Sequence, residues 1–204
     1  MTKLSIIGAG GHSRALIPLL EEDSKTIEGI YDLSYDINKP ELILNYPLKG
    51  NLEDAFKTKT IFVLAIGDNA TRKTIFEKFG SKIDPANIIS KHALIRKTAM
   101  LGKSNHVLPM VFINSKCIIG DNNIINSKAL IEHESVIGNH CHISVGAIIC
   151  GRVTIGDDCF VGAGAIIKDK ISICDSVTIG AGAVVVKDIK VPGIYVGNPL
   201  KKIK

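Results

Sequence analysis

In Ile131-Glu132-His133-Glu134-Ser135 two carboxylates flank a histidine, and His140-Cys141-His142 adds two more imidazoles shortly afterwards. An imidazole with an unperturbed pKa of about 6.5 can take a proton at neutral pH, and a neighbouring carboxylate can orient the ring and stabilise its charged form. His133 and Glu134 are therefore the candidate catalytic pair, a general base and its orienting acid. The competing reading of His133 is an exposed turn histidine.

A second group of residues suits binding rather than proton transfer. Gly8-Ala9-Gly10-Gly11-His12 follows the apolar stretch Leu4–Ile7 and precedes an amphipathic one, while Asp32 and Gly67-Asp68-Asn69 close two further apolar runs. Backbone N–H groups at the start of a helix suit a phosphate. Gly10, Gly11, His12, Asp32, Gly67 and Asn69 are the candidate ligand contacts. A dinucleotide fold is the obvious reading of Gly8-x-Gly10 with an acid further on, but Ser13 stands where a third glycine belongs. The segment is also only about half of a two-lobed dinucleotide fold, which favours one nucleotide or nucleotide sugar over NAD.

Two kinds of element must carry these residues. Before about Asn87, the chain reads as a strand at Leu4–Ile7, a helix from Ser13 to Glu22 with Ala15, Leu16, Leu19 and Leu20 on one face, a strand at Ile27–Tyr31, a strand at Thr60–Ile66, and a helix carrying Arg72 and Lys73. That order gives an α/β domain with a small parallel sheet, whose strand ends present the candidate contacts along one edge. Beyond it, every sixth residue from Ile89 to Val185 is aliphatic, with small residues such as Cys117, Ala129 and Ser135 two places earlier. A period of six is that of a hexapeptide-repeat parallel β-helix, in which each unit forms one flat side and aims its aliphatic residue at the axis. The expected domains are residues 1–86 and 87–204. With about eighteen residues per three-sided coil, His133 and His142 of one chain cannot share a face. They could meet across a groove between packed prisms.

Composition narrows the function. The chain has 204 residues and a net charge of +5, with 5% aromatic residues and no Trp. That disfavours base-stacking on nucleic acid and fits an anionic small molecule. Cys117, Cys141, Cys150, Cys159 and Cys174 show no CxxC spacing and read as small hydrophobes in a reducing cytoplasm. MTKLSIIGAG runs straight into a glycine turn, so neither a signal peptide nor membrane insertion is expected. His92 and His106, without a carboxylate beside them, read as surface residues.

Four motifs in matching order, Gly8-Ala9-Gly10-Gly11-His12, Ala65 to Arg72, Ile131 to Gly138, and Val196-Gly197-Asn198-Pro199-Leu200-Lys201, resemble the sugar O-acyltransferases of the sialic acid O-acetyltransferase type. That family includes N-acetyltransferases acting on UDP-4-amino-4,6-dideoxy sugars. The resemblance implies a Rossmann-like domain that binds a sugar nucleotide, then a left-handed β-helix, with three chains packed so that acetyl-CoA lies between neighbours. It also implies His133 as base and Glu134 as its acid, with His142 near the acyl group. Gly151, Ala163 and Ala181 match small residues of the coenzyme groove, and Gly10, Gly11, His12 and Asp32 match the nucleotide-sugar pocket. The departures are Glu134 where many members carry Asp, Leu200 where Ala is common, and Leu33 where a second acid would follow Asp32.

The expected activity is acetyl-CoA-dependent N-acetylation of a nucleotide-linked amino sugar by direct transfer, without an acyl-enzyme. O-acetylation of sialic acid or another surface-polysaccharide sugar is the alternative within the family, and a non-catalytic sugar-nucleotide-binding protein is the alternative outside it. No metal is expected: some hexapeptide-repeat proteins are carbonic anhydrases, but His133, His140 and His142 lack their HxxxxH pair with a distant third histidine.

Overall fold

The computed structural model describes residues 3–204. They fall into two compact units, one ending at Ile88 and one spanning Ile89–Lys204. In the first unit the elements are β1 (Lys3–Ile7), α1 (Gly11–Glu22), β2 (Thr26–Tyr31), β3 (Leu42–Ile43), β4 (Tyr46–Gly50), α2 (Leu52–Lys57), β5 (Phe62–Leu64) and α3 (Asn69–Phe79). The sheet order is β3-β4-β2-β1-β5. β1 runs parallel to β2 and β5, and β2 parallel to β4, so the centre is the small parallel sheet that the strand–turn–helix pattern predicts. The antiparallel β3–β4 hairpin at its edge is an addition. Leu44 and Asn45 both sit at positive φ in its turn, the geometry of a tight two-residue hairpin.

Helix α1 begins at Gly11, two residues before its expected start, and its buried face is Ser13, Leu16, Ile17, Leu19 and Leu20. Ala15 is exposed, contrary to expectation. Ile17 takes its place because it lies four residues after Ser13 and three before Leu20, on the stripe that faces the sheet.

The second unit is a three-sided parallel coil of two-residue strands. Through the repeats, strands pair with those eighteen residues before and after them, as Ile131 does with Ile113 and Ile149. At the far end Val177–Ile179 pairs out of that spacing with Gly193–Val196, which turns back antiparallel to Lys201–Lys202. One side contains Leu94–Ile95, Phe112–Ile113, Leu130–Ile131, Ile148–Ile149, Ile166–Ile167 and Val184–Val185. The second runs from Met100–Leu101 to Ser172–Ile173, and the third includes His106–Val107, Ile124–Ile125, His142–Ile143 and Phe160–Val161. From Val107 to Val185 every sixth residue is at most 3% exposed and joins one continuous core. The first rungs depart from the expected axial burial: Ile89 is 38% exposed, and Ile95 and Leu101 are half-buried. They start the ladder, so no rung lies beneath them.

The small residues between rungs do more than fill space. Cys117, Cys141 and Cys159 are buried, and their thiols donate to the carbonyls of Glu132, Gly156 and Cys174 at 3.1, 3.1 and 3.2 Å. Ser135 Oγ does the same to Cys150 O at 3.0 Å. These contacts answer corner carbonyls that two-residue strands leave unpaired. The corners also repeat a left-handed residue every sixth position from Ser104 to Gly182, and Glu134 (φ 60°) is one of them.

Candidate active site

His133 lies on the corner that follows Leu130–Ile131, between the first and second sides. Its Nδ1 is 3.2 Å from Glu134 Oε2, with the two side chains 45% and 49% exposed. An ion pair this exposed contributes at most about 1 kcal/mol to stability, so what Glu134 supplies is ring orientation. With Nδ1 donating to Glu134, the other nitrogen, Nε2, is left with its lone pair for a proton. Directly along the axis, in the next coil, sits Gly151. A Cβ built there would lie 2.8 Å from both Nε2 and Cε1 of His133, so the imidazole rests on a surface that only glycine provides.

The same corner is braced from the preceding coil. Asn114 Nδ2 donates to Glu132 Oε2 at 2.5 Å while Asn114 Oδ1 accepts the Ser115 N–H at 2.7 Å. Glu132 Oε2 also receives the His133 N–H at 3.3 Å. Glu134 N donates to Ser115 O, and Arg152 N to His133 O. Cys150, the thiol of this corner, is pushed up by burial and by the nearby carboxylates of Asp169 and Glu132, which is the opposite of an activated nucleophile.

His142 belongs to the third side, so the structure does not bring it onto the face of His133. Its ring stands edge-on to Phe160 with centroids 5.1 Å apart, and Nε2 accepts from Asn126 Nδ2 at 3.2 Å. Ala163 and Ala181 are exposed one coil apart on the corner between the third and first sides, stacked through Gly182 N to Ala163 O at 2.9 Å. The two groups of candidates thus occupy opposite edges of the first side. The outward positions of that side are all apolar, with Leu94, Ile148 and Ile166 exposed by 52%, 36% and 38%.

Of the histidines expected at the surface, His106 is a correction: it is 3% exposed and stacks in register with Ile124 of the next coil. Among the described residues no group of histidine, cysteine or carboxylate side chains could hold a metal ion.

In the first unit, Gly10, Gly11, His12, Asp32 and Gly67 line an open cleft of about 250 Å³. Gly8 has φ 114°, and a Cβ on it would meet Ala65 O at 2.5 Å. The turn is fastened through its carbonyls and one N–H: Arg14 Nη1 donates to Ala9 O and Gly10 O, Ser13 Oγ to Gly10 O, and Ala9 N to Asp32 Oδ2 at 2.7 Å. Among the described residues, no acceptor takes the N–H of Gly10 or Gly11. Burial works to raise the Asp32 pKa, but hydrogen bonds from Ser34 and from the Ala9 N–H outweigh it and hold the carboxyl below its usual range. Asp32 therefore acts first on the protein's own turn.

Asn69 is the one candidate contact that does not line this cleft. Its Oδ1 accepts from Arg72 Nη2 at 2.9 Å, and Arg72 also donates to the carbonyls of Ile66 and Gly67. Arg72 is fully buried and clamps the loop after β5. Its spacing to Ile75 and Phe79 put it on the buried face of α3, a signal available in the sequence.

Residues 3–79 match the PglD N-terminal domain. Residues 134–169 match the bacterial transferase hexapeptide (six repeats), and residues 152–187 the hexapeptide repeat of succinyl-transferase. PerB from Caulobacter crescentus, solved in complex with CoA and GDP-perosamine, is 28% identical with a TM-score of 0.92 over 100% of this chain and 98% of that one. The acetyltransferase domain of PglB from Neisseria gonorrhoeae is 27% identical with a TM-score of 0.90 over 100% of both chains. WeeI from Acinetobacter baumannii, 21% identical over 99% of this chain and 100% of that one, shares the fold with a TM-score of 0.89. An uncharacterized protein of Acanthamoeba polyphaga mimivirus is 34% identical over 103 residues, 50% of this chain, and the chain spans 20% of that curated relative's length.

An α/β domain joined to a left-handed hexapeptide coil is the architecture of a bipartite acyl transferase. Within that class, the chain is similar over its full length to solved acetyltransferases, and its coil carries the matches to the bacterial transferase hexapeptide.

Proposed function

We propose that the protein transfers the acetyl group of acetyl-CoA to the amine of a nucleotide-linked amino sugar. The observation that carries this reading is the His133 ring, held by Glu134 at Nδ1 and lying on Gly151. His133 Nε2 takes the proton of the amine as its nitrogen attacks the thioester carbonyl, and Glu134 stabilises the imidazolium that forms. The Gly151 N–H donates to the oxygen on which negative charge develops. The tetrahedral adduct then collapses with loss of the coenzyme thiolate, which takes up the proton. A raised Cys150 thiol fits direct transfer. The first unit, with the free N–H groups of Gly10 and Gly11 in its cleft, suits the diphosphate of a sugar nucleotide, and the PerB structure holding CoA and GDP-perosamine supports the same pair of substrates.

The apolar outer face of the first side suits a homotrimer. With those sides turned to a threefold axis, the His133 corner of one copy adjoins His142, Ala163 and Ala181 of the next, and the small alanines leave room for the pantetheine arm. The five free thiols fit a cytoplasmic setting. The test is incubation with acetyl-CoA and, separately, a UDP-4-amino sugar, a GDP-amino sugar and free sialic acid, read by thiol release and mass spectrometry. Acetylation of an amino-sugar nucleotide is expected; modification of sialic acid alone, or binding without turnover, would overturn the assignment.

A further inference from the structure

The His133 corner recurs every eighteen residues, and at each recurrence one backbone N–H takes no part in the backbone hydrogen bonds of the coil: those of Ser115, His133, Gly151 and Asp169 in successive coils. The residue just before decides what happens to it. Asn114 Oδ1 accepts the Ser115 N–H at 2.7 Å, and Glu132 Oε2 accepts the His133 N–H at 3.3 Å. The neighbouring corner repeats the device, with Asn126 Oδ1 on the Ser127 N–H at 2.8 Å. At Gly151 the preceding residue is Cys150, and among the described residues no acceptor takes the Gly151 N–H. Gly151 is buried while its counterparts Ser115, His133 and Asp169 are half-buried. A buried N–H without an acceptor is unfavourable, and this one lies under the His133 ring.

We infer that Cys150 is a positioning residue: by offering no oxygen to the N–H that follows it, it keeps the Gly151 N–H open for the substrate oxygen, while Asn114 and Glu132 close the equivalent donors below. Sulfur is a weak acceptor, and the half-buried Cys150 side chain fills the corner without competing with an oxyanion. The active coil is thus set apart from the two coils below it by one missing cap, and the Asp169 N–H of the coil above, which follows Lys168, is likewise without an acceptor among the described residues. This inference rests on the acetyl-transfer reading and deepens it.

The test is Cys150→Asn, which installs at this corner the residue that caps Ser115 and Ser127. Turnover is expected to fall by about 10²–10³-fold, the usual effect of losing one oxyanion donor, with KM for acetyl-CoA and the melting temperature unchanged. Cys150→Ala, which adds no acceptor, is expected to stay within about threefold of wild type. Hydrogen exchange of the Gly151 amide, slowed in Cys150→Asn and not in Cys150→Ala, reports the cap independently of activity. Should Cys150→Asn not fold, Cys150→Ser supplies a shorter acceptor for the same measurements. A capped amide with wild-type turnover, or equal losses in the Asn and Ala variants, would overturn the inference. A wild-type protein without transferase activity would sink the acetyl-transfer reading, and with it the catalytic role of the open donor, whereas the exchange measurement would still decide whether Cys150 governs the cap.

Discussion

Gly151→Ala isolates the packing of the His133 ring, the proposed base, from the stability of the coil. Gly151 does not sit in the left-handed region, so alanine is allowed by the backbone. Its Cβ would lie 2.8 Å from His133 Cε1 and Nε2 and 3.4 Å from Cδ2, whereas unstrained carbon contacts begin at about 3.5 Å. The ring must therefore retreat by roughly 0.7–1 Å. It can do so, because it is half exposed and tethered only through Glu134. Stability should change by no more than about 1 kcal/mol, a shift of at most about 2–4 °C in a chain of this size. A reacting group misplaced by about 1 Å costs on the order of 10²-fold in rate. Steady-state kinetics and thermal denaturation of Gly151→Ala should thus show kcat reduced roughly 10–100-fold beside a nearly unchanged Tm. Turnover within twofold of wild type would refute the placement of His133 as base. A collapse of Tm would show that the methyl group strikes the scaffold and not the ring.

His133→Ala should lower kcat by about two to four orders of magnitude while leaving coenzyme affinity, measured by calorimetry, largely intact. His12→Ala should raise KM for the sugar nucleotide more than KM for acetyl-CoA, because His12 lines the first-unit cleft; equal effects in the kinetic assay would count against that cleft as the sugar-nucleotide site. Asp32→Asn should lower Tm at pH 7, and the deficit should shrink in acid. The Asp32 carboxyl is held below its usual range, so its contribution is fully present above the unfolded value of about 3.9 and is lost as pH falls through the lower folded value. A deficit that stays constant from pH 7 to pH 3 would mean the carboxylate charge is not what fastens the Ala9 turn.

The aliphatic rhythm made the coil legible, since nothing but a six-residue side produces it, and it placed His133 between intact rungs. The second rhythm, the left-handed corners, is not legible in the sequence because non-glycine residues carry most of its positions, Glu134 and Arg152 among them. The β3–β4 hairpin was hidden for a related reason: Leu44 occupies a positive-φ turn position where Asn or Gly is the usual signal. In the active corner, the pairing of His133 with Glu134 followed from adjacency alone. The contact with Gly151 and the missing cap at Cys150 emerge only when residues eighteen apart are compared, for instance Asn114, Glu132 and Cys150. Asn69 and Arg72 show the limit in the first unit, where a polar pair at a strand end braces the loop instead of lining the cleft.

The coil makes residue number a spatial address. Since Leu130 pairs with Ile148 and Asn114 reaches Glu132, removing one whole circuit slides everything beyond it down the axis without rotation. Removing a six-residue unit instead turns everything beyond it by one side of the prism. Coil length beyond the active circuit can therefore change in whole circuits while His133, Glu134, Cys150 and Gly151 keep their mutual geometry. A shorter edit between His133 and Gly151 dismantles the site even if every rung stays buried.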